Sequence, residues 1–418
     1  MLKANDSFLE KLYFISCLIF VFTAVWEVPY AVFIGPVFCF GAFVVYRSYT
    51  KTPLFFDRTF TVFAVFTVLY CIFVLNPARN LYYQIYVYVQ ALIMYWLGAN
   101  AFTEFSPKKK REYLERFFLI VSIMYLTYAA ATLFNHFFNT PHDLEDRFYY
   151  SFWYGSLVIK PATVIIMSLV FPMTYGVYSL FFLKWQYKIA GVVFIAATLA
   201  YSFFSGSRTM LFFFPMLLTG TIITYFIFVK KKVKTAVIFS AVIIVLCAVV
   251  LICLKVFKEQ IYQRFHEYGF YRIIYEGFTS SLRNQYALNV LKDFSLFYFG
   301  GGKHSAELGT PHNIWLYIYD HGGIVPFAAY CVFTVLMAKD GVKMLFSKRV
   351  EMQMKFFVYI MFAVILLEYF LEPFMLPLPS FYILGLFLMG VITAEARREP
   401  IKTGKKHFVR KKSVKETE

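Results

Sequence analysis

Apolar residues in this chain come in blocks of roughly 16–24, the length an α-helix needs to cross a hydrocarbon core of about 30 Å. That feature decides what the chain can fold into. Lipid offers no partner to backbone N–H and C=O groups, so only helices and closed barrels cross it. Short alternating stretches of the barrel kind are absent. Composition agrees, because 60% hydrophobic and 22% aromatic residues against 16% charged leave too little polar surface to cover a soluble chain of 418 residues. The expected fold class is an all-α, polytopic membrane bundle. Its spans are read at 12–26, 29–46, 59–76, 81–104, 117–138, 162–183, 189–205, 210–229, 236–257, 314–338, 356–373 and 379–395. The first two flank Pro29 closely, so a re-entrant hairpin stays open there. No A-x-A-like cleavage site follows the first block, which reads as a span and not a signal peptide.

A net charge of +17 would point to nucleic acid in a soluble chain. Here the Lys and Arg sit in short clusters between apolar blocks, at Arg47/Lys51/Arg58, Lys108–Arg111 with Arg116, Lys184/Lys188, Lys230–Lys234, Lys339–Lys355 and the tail from Arg397. With twelve spans and a cytoplasmic N-terminus, every cluster falls on one side, as the positive-inside rule requires. Both termini are therefore expected in the cytoplasm, and no nucleic-acid partner is expected. The six cysteines all lie inside apolar blocks without CxxC spacing, which supports neither a zinc site nor a disulfide framework. The chain divides into a bundle over 1–257, an outward loop over 258–313, three spans over 314–395 and a basic tail over 396–418, read as disordered and suited to anionic lipid headgroups.

Two outward segments carry the polar residues. The first, 139–161, reads NTPHDLEDRFYYSFWYGSLVIKP. The second opens with an amphipathic, aromatic helix, KEQIYQRFHEYGFYRIIYEGF, suited to a membrane interface. A second helix follows at SSLRNQYALNVLKDF with Ser280 or Ser281 as N-cap. FGGGKHSAELGTP then reads as a flexible loop ended by Pro311.

Three residues are polar where polarity is expensive. Arg208, in FFSGSRTMLFFFP, lies between two spans with almost no loop. An Arg at membrane depth costs about 2.5–3.5 kcal/mol on insertion scales. It is either a snorkelling residue at a tight turn or an anchor for a phosphate or carboxylate. Arg283 falls in the first turn of its helix, against the dipole; it is a solvated surface charge or half of an anion site. His312 stands where the second loop re-enters the membrane. With Asn313 it forms either a capping pair or a general base working near neutral pH. Weaker candidates are Arg147 and Lys160 on the first loop, Arg264 and Arg272 on the amphipathic helix, and Asn313. Glu368 and Glu372 could neutralise Arg208 or another outward Arg, or simply cap their span, and Asp320 and His321 border the Gly322-Gly323 hinge, where a structural role is open. GxxxxGK[ST], GxSxG and HExxH are all absent, and DLED at 143–146 is a poor metal ligand set.

Three segments in order, SGSRTMLFFFP, SSLRNQYALNVL and FGGGKHSAELGTPHNIWLYIYDHGGI, resemble the membrane family of O-antigen ligases and polysaccharide polymerases. The likeness covers residues from about 190 to 340, and the first half matches only in span count. The resemblance implies a GT-C-like glycosyltransferase of the cell inner (cytoplasmic) membrane, working on its periplasmic face without metal, nucleotide or other cofactor. It implies an undecaprenyl-diphosphate-linked glycan as donor, with lipid A-core or a lipid-linked repeat unit as acceptor. Arg208 and Arg283 match the diphosphate-binding positions and His312 the catalytic histidine. The loop between Arg283 and His312 is compact for the family.

The residues suit that chemistry. A departing diphosphate needs fixed positive charge in a partly dry site. An acceptor hydroxyl needs a base within hydrogen-bond reach, typically worth about 10²–10⁴-fold. Trp153, Tyr154, Tyr268, Phe270 and Tyr271 could stack on sugar rings or form an interfacial belt. A ligase is the leading expectation, a polymerase the alternative, and a flippase or transporter the third. A transporter should carry charges near mid-membrane in broken helices, commonly with internal repeats, and no repeat is visible.

Overall fold

The structure, a computed structural model, describes residues 2–28, 31–50, 54–74, 81–100, 105–139, 148–153, 155–204, 208–257, 259–260, 263, 281–304, 313–371 and 379–397. Apart from one two-stranded hairpin, the described elements are helical. Five helices come first: α1 (Leu2–Val25), α2 (Ala31–Thr50), α3 (Arg58–Val74), α4 (Leu81–Asn100) and α5 (Pro107–Asn139). After the hairpin follow α6 (Ala162–Ser168), α7 (Val170–Phe182), α8 (Trp185–Phe204), α9 (Arg208–Thr224, ending in a π turn at Tyr225–Val229) and α10 (Val233–Val256). The last six are α11 (Ser281–Lys292), α12 (Leu296–Phe299), α13 (Ile314–Gly322), α14 (Ile324–Phe346), α15 (Met352–Leu371) and α16 (Pro379–Arg397). Each of the twelve apolar blocks is thus helical where described. Six helices among the described residues are long and apolar enough to cross a membrane.

One expected loop and one expected span need correcting. The segment 139–161 holds strands β1 (Phe148–Ser151) and β2 (Gly155–Pro161), paired antiparallel with Tyr149 opposite Lys160. The aromatic and β-branched residues on either side of the turn favour that pairing. More consequentially, 314–338 is not one span. In a straight helix Trp315 and Thr334 would stand about 28 Å apart, yet Trp315 Nε1 donates to Thr334 Oγ1 at 3.1 Å. Tyr319 also packs on Phe327, with ring centroids 5.4 Å apart. The chain turns back at Gly323, whose φ of +75° suits glycine. A Cβ there would stand 2.8 Å from the carbonyl oxygen of Tyr298. So α13 is a half-length helix antiparallel to the first part of α14.

Glycine also lets α4 and α16 approach closely. A Cβ at Gly98 of α4 would fall 1.9 Å from Phe387 O, and one at Gly390 of α16 would fall 2.0 Å from Tyr95 O. Hydrophobic drive is weak between helices in lipid, so close backbone approach through small residues supplies packing energy. The Tyr95 hydroxyl then donates to Thr393 Oγ1 at 2.9 Å across the same interface. Aromatic pairs such as Phe63–Phe333 (4.6 Å) and Phe66–Tyr330 (4.8 Å) fill the space between α3 and α14. The α1–α2 pair is a full-length antiparallel hairpin, not a short re-entrant one. Tyr13 stacks on Tyr46, and Cys17 meets Cys39 as free thiols 3.6 Å apart.

The basic clusters gather at one end of the bundle and are matched there by acceptors. Arg397 donates to Asp340 at 2.8 Å and to Thr59 at 2.6 Å. Arg47 donates to the backbone and side-chain oxygens of Asn100 at 3.0 and 3.2 Å. Lys109 pairs with Glu10 at 2.6 Å, Lys110 with Glu395 and Arg111 with Glu351. The start of α1 and the end of α16 therefore share this basic end. The opposite end carries the hairpin, α11, α12 and the α13–α14 turn; it is called the loop end below.

Candidate functional site

At the loop end, α11 and α12 dock on α13. Tyr286 and Val290, four residues apart and so on one face of α11, are buried with Leu296 of α12 against Leu316 and Tyr319. Asp320, the residue under this contact, is fully buried. Its Oδ2 accepts the Tyr286 hydroxyl at 2.9 Å, and its Oδ1 accepts the His304 N–H at 3.3 Å. A buried carboxylate needs such donors to offset its lost hydration.

The glycine run is a cap. Gly301 N–H donates to His321 O at 3.1 Å, and Gly302 N–H donates to Asp320 O at 2.8 Å. These bonds satisfy carbonyls that the end of α13 would leave open. Gly300, Gly301 and Gly302 have φ of +62°, +106° and +71°, values that L side chains rarely adopt. A Cβ at Gly300 would also stand 2.5 Å from the carbonyl carbon of His321. The segment expected to be a flexible loop is therefore docked over 300–304, while 305–312 lies outside the described residues.

Two histidines flank Asp320. The His321 ring lies on Tyr317, centroids 4.0 Å apart, and its Nδ1 donates to Tyr317 O at 3.0 Å. His304 Nε2 meets Asp293 Oδ2 at 3.0 Å. Its Nδ1 is buried with no hydrogen bond among the described residues. The hydroxyl and N–H of Ser295, then His304 and Lys303, hold the Asp293 carboxyl down at about 2. An orienting carboxylate on one ring nitrogen with the other left over is the arrangement of a His–Asp pair. In the sequence, His304 lies in a glycine-rich stretch, and nothing there pairs it with Asp293 across α12.

Of the residues singled out in the sequence, Asn313 is the most fully described. It caps α13, Oδ1 accepting the Leu316 N–H at 3.0 Å, and Nδ2 donates to Phe370 O at 3.4 Å. The half-helix thus starts at the level of Thr334 on α14 and of the last residues of α15. Glu368, fully buried, stands two residues before Phe370. Arg208 is the first residue of α9, Arg283 the third of α11, and Lys160 lies in β2; only their backbone positions are described. His312, Arg147, Arg264, Arg272, Glu372, most of the amphipathic segment after Lys258 (all but 259–260 and 263) and the tail beyond Arg397 lie outside the described residues. Arg208, Arg283 and Asn313 share one position: each stands in or at the first turn of a helix, where backbone N–H groups and the dipole favour an anion.

Compared with known proteins, the chain matches no family model, no curated protein and no solved structure.

Proposed function

We propose that this protein transfers a glycan from an undecaprenyl-diphosphate carrier to an acceptor hydroxyl at the loop end of its bundle, as an O-antigen ligase does for lipid A-core. In this reading the twelve apolar segments cross the inner membrane in a GT-C-like bundle. The basic end faces the cytoplasm with both termini, and the loop end faces the periplasm. Arg208 and Arg283 stabilise the charge that develops on the departing diphosphate, and His312 takes the proton from the acceptor hydroxyl. No metal or nucleotide takes part.

One observation carries the reading. Because α13 folds back on α14, its cap Asn313, next in the chain after His312, stands beside α15, while the other end of α13 clamps the helix that bears Arg283. A single half-helix thus links the proposed base and one of the proposed diphosphate ligands. Cutting the gene tests the acceptor. A ligase deletion leaves long polymer on the carrier lipid and a bare core. Core bearing one repeat unit would instead identify a polymerase.

A further inference from the structure

The docked side of α11 is only half of its apolar surface. Tyr286 and Val290 are buried on α13, while Leu288 and Leu291, on the opposite face of the same helix, are exposed. Just beyond α11, Phe294 is 82% exposed, and on α12 Tyr298 and Phe299 are 69% and 73% exposed. Phe297, also exposed, lies edge-on to Tyr298 with ring centroids 5.2 Å apart. Lys292 and Lys303, both exposed, flank this patch. Single apolar side chains on a surface need no explanation, but a run of them along one short element does.

What lies against the patch follows from its place on the bundle. The helix α14 is long and apolar enough to cross a membrane. Val325, Val332, Val335 and Val342 along one face of it are exposed, as are Val65, Val68 and Ile72 of α3; in a bilayer these stripes meet lipid. The patch continues them. Phe299 packs on Phe73, the neighbour of Ile72, with centroids 6.1 Å apart, and a Cβ at Gly323, just before α14, would stand 2.8 Å from Tyr298 O. Height agrees with this. At the basic end Thr59 donates to Asp340 at 3.2 Å, and Arg397 donates to both; such charges mark one edge of the hydrocarbon. From that level Phe73 is about 21 Å along α3 and Gly323 about 26 Å along α14. Both distances fall short of a hydrocarbon core of about 30 Å. The aromatic patch therefore stands at or just inside the far edge of the core and not in open water.

We propose that the exposed face of α11 and α12 seats in the phospholipid leaflet at the loop end, with its Leu, Phe and Tyr side chains at the acyl boundary and Lys292 and Lys303 reaching headgroup phosphates. Tyrosine rings and lysine stems suit that boundary, each having an apolar body and a polar tip. The helix α11 is then held on both faces, by α13 on one and by lipid on the other. Asp293 and His304 belong to the same docked unit, so the lipid contact sets the height of that pair against the headgroups. The proposal does not depend on the transferase reading.

The full-length protein is reconstituted in vesicles of phosphatidylethanolamine and phosphatidylglycerol with benzoylphenylalanine in place of Phe294 or of Tyr298, and in place of Val332 on the exposed stripe of α14 as reference. After photolysis, mass spectrometry should find phospholipid adducts at all three positions. Fragmentation should place the adducts at 294 and 298 on acyl carbons near the glycerol, and those at 332 nearer the chain ends. Phospholipid adducts at 332 with none at 294 and 298 would overturn the proposal. In that case cross-links to a second copy would make the patch a dimer face, cross-links within one chain would show the protein covering it, and no cross-link of either kind would leave it in water.

Discussion

The hydroxyl of Tyr286 donates to Asp320 Oδ2 at 2.9 Å, and this bond joins the helix carrying Arg283 to the half-helix that begins just after His312. Both partners are buried, so removing the donor leaves a desolvated carboxylate short of one bond. Tyr286→Phe should therefore loosen the docking of α11 by about 1–3 kcal/mol. Hydrogen exchange reads this directly: α11 amides should lose protection while α4 and α16 keep theirs. Equal protection of α11 in the variant would mean that apolar burial alone holds the helix.

The glycine cap separates two effects that usually travel together. Alanine at Gly301 meets only backbone strain, since a Cβ there touches nothing within 4 Å. Alanine at Gly300 meets strain and also a clash with the His321–Gly322 backbone. Strain at such a φ costs roughly 1–2 kcal/mol, so Gly301→Ala should be mildly destabilising and Gly300→Ala clearly worse in thermal unfolding of the detergent-solubilised protein. The reverse order would contradict the docked geometry of 300–302.

Acid should open the junction of α11 and α12 late. The Asp293 carboxyl is held at about 2 by Ser295 and then by His304 and Lys303, below its ordinary value near 3.9. A depressed carboxylate contributes stability above its unfolded pKa and loses it as pH falls through the folded one. Exchange protection of the Ser295 amide, which donates to Asp293, should hold from pH 7 to about pH 4 and decline toward pH 2. Asp293→Asn should remove that acid dependence. A decline centred near pH 6 in the wild-type protein would assign the effect to a histidine instead.

Apolar block length made the helices legible, and the charge clusters made the basic end legible, because both follow from the cost of polar groups in lipid. The fold-back at Gly323 was visible only as a hinge. Block length cannot tell a half-helix plus a span from one long span, and YIYDHGGIVPF stays apolar on both sides of the turn. The docking of 300–304 was hidden for a different reason. GGGK reads as a flexible run until the carbonyls of Asp320 and His321 are seen to need N–H donors with positive φ. The His304–Asp293 pair spans the α12 turn, so sequence spacing alone did not disclose it.

Substitutions at the proposed centre should separate chemistry from assembly. Arg208→Ala and Arg283→Ala should each abolish glycan transfer in membranes. His312→Ala should lower it by about 10²–10⁴-fold, the usual worth of a general base. All three should insert at wild-type levels, checked by membrane fractionation. Should His304→Gln, and not His312→Ala, stop transfer, the base would be the histidine paired with Asp293.

Purified protein in vesicles, supplied with an undecaprenyl-diphosphate-linked glycan and lipid A-core, decides whether this bundle is a transferase. Product is separated by gel with no nucleotide, no ion gradient and excess chelator present. Transfer of the glycan to the core, with release of undecaprenyl diphosphate, is the predicted result. Movement of the intact lipid-linked glycan across the vesicle membrane without any new glycosidic bond would contradict it and make the protein a transporter.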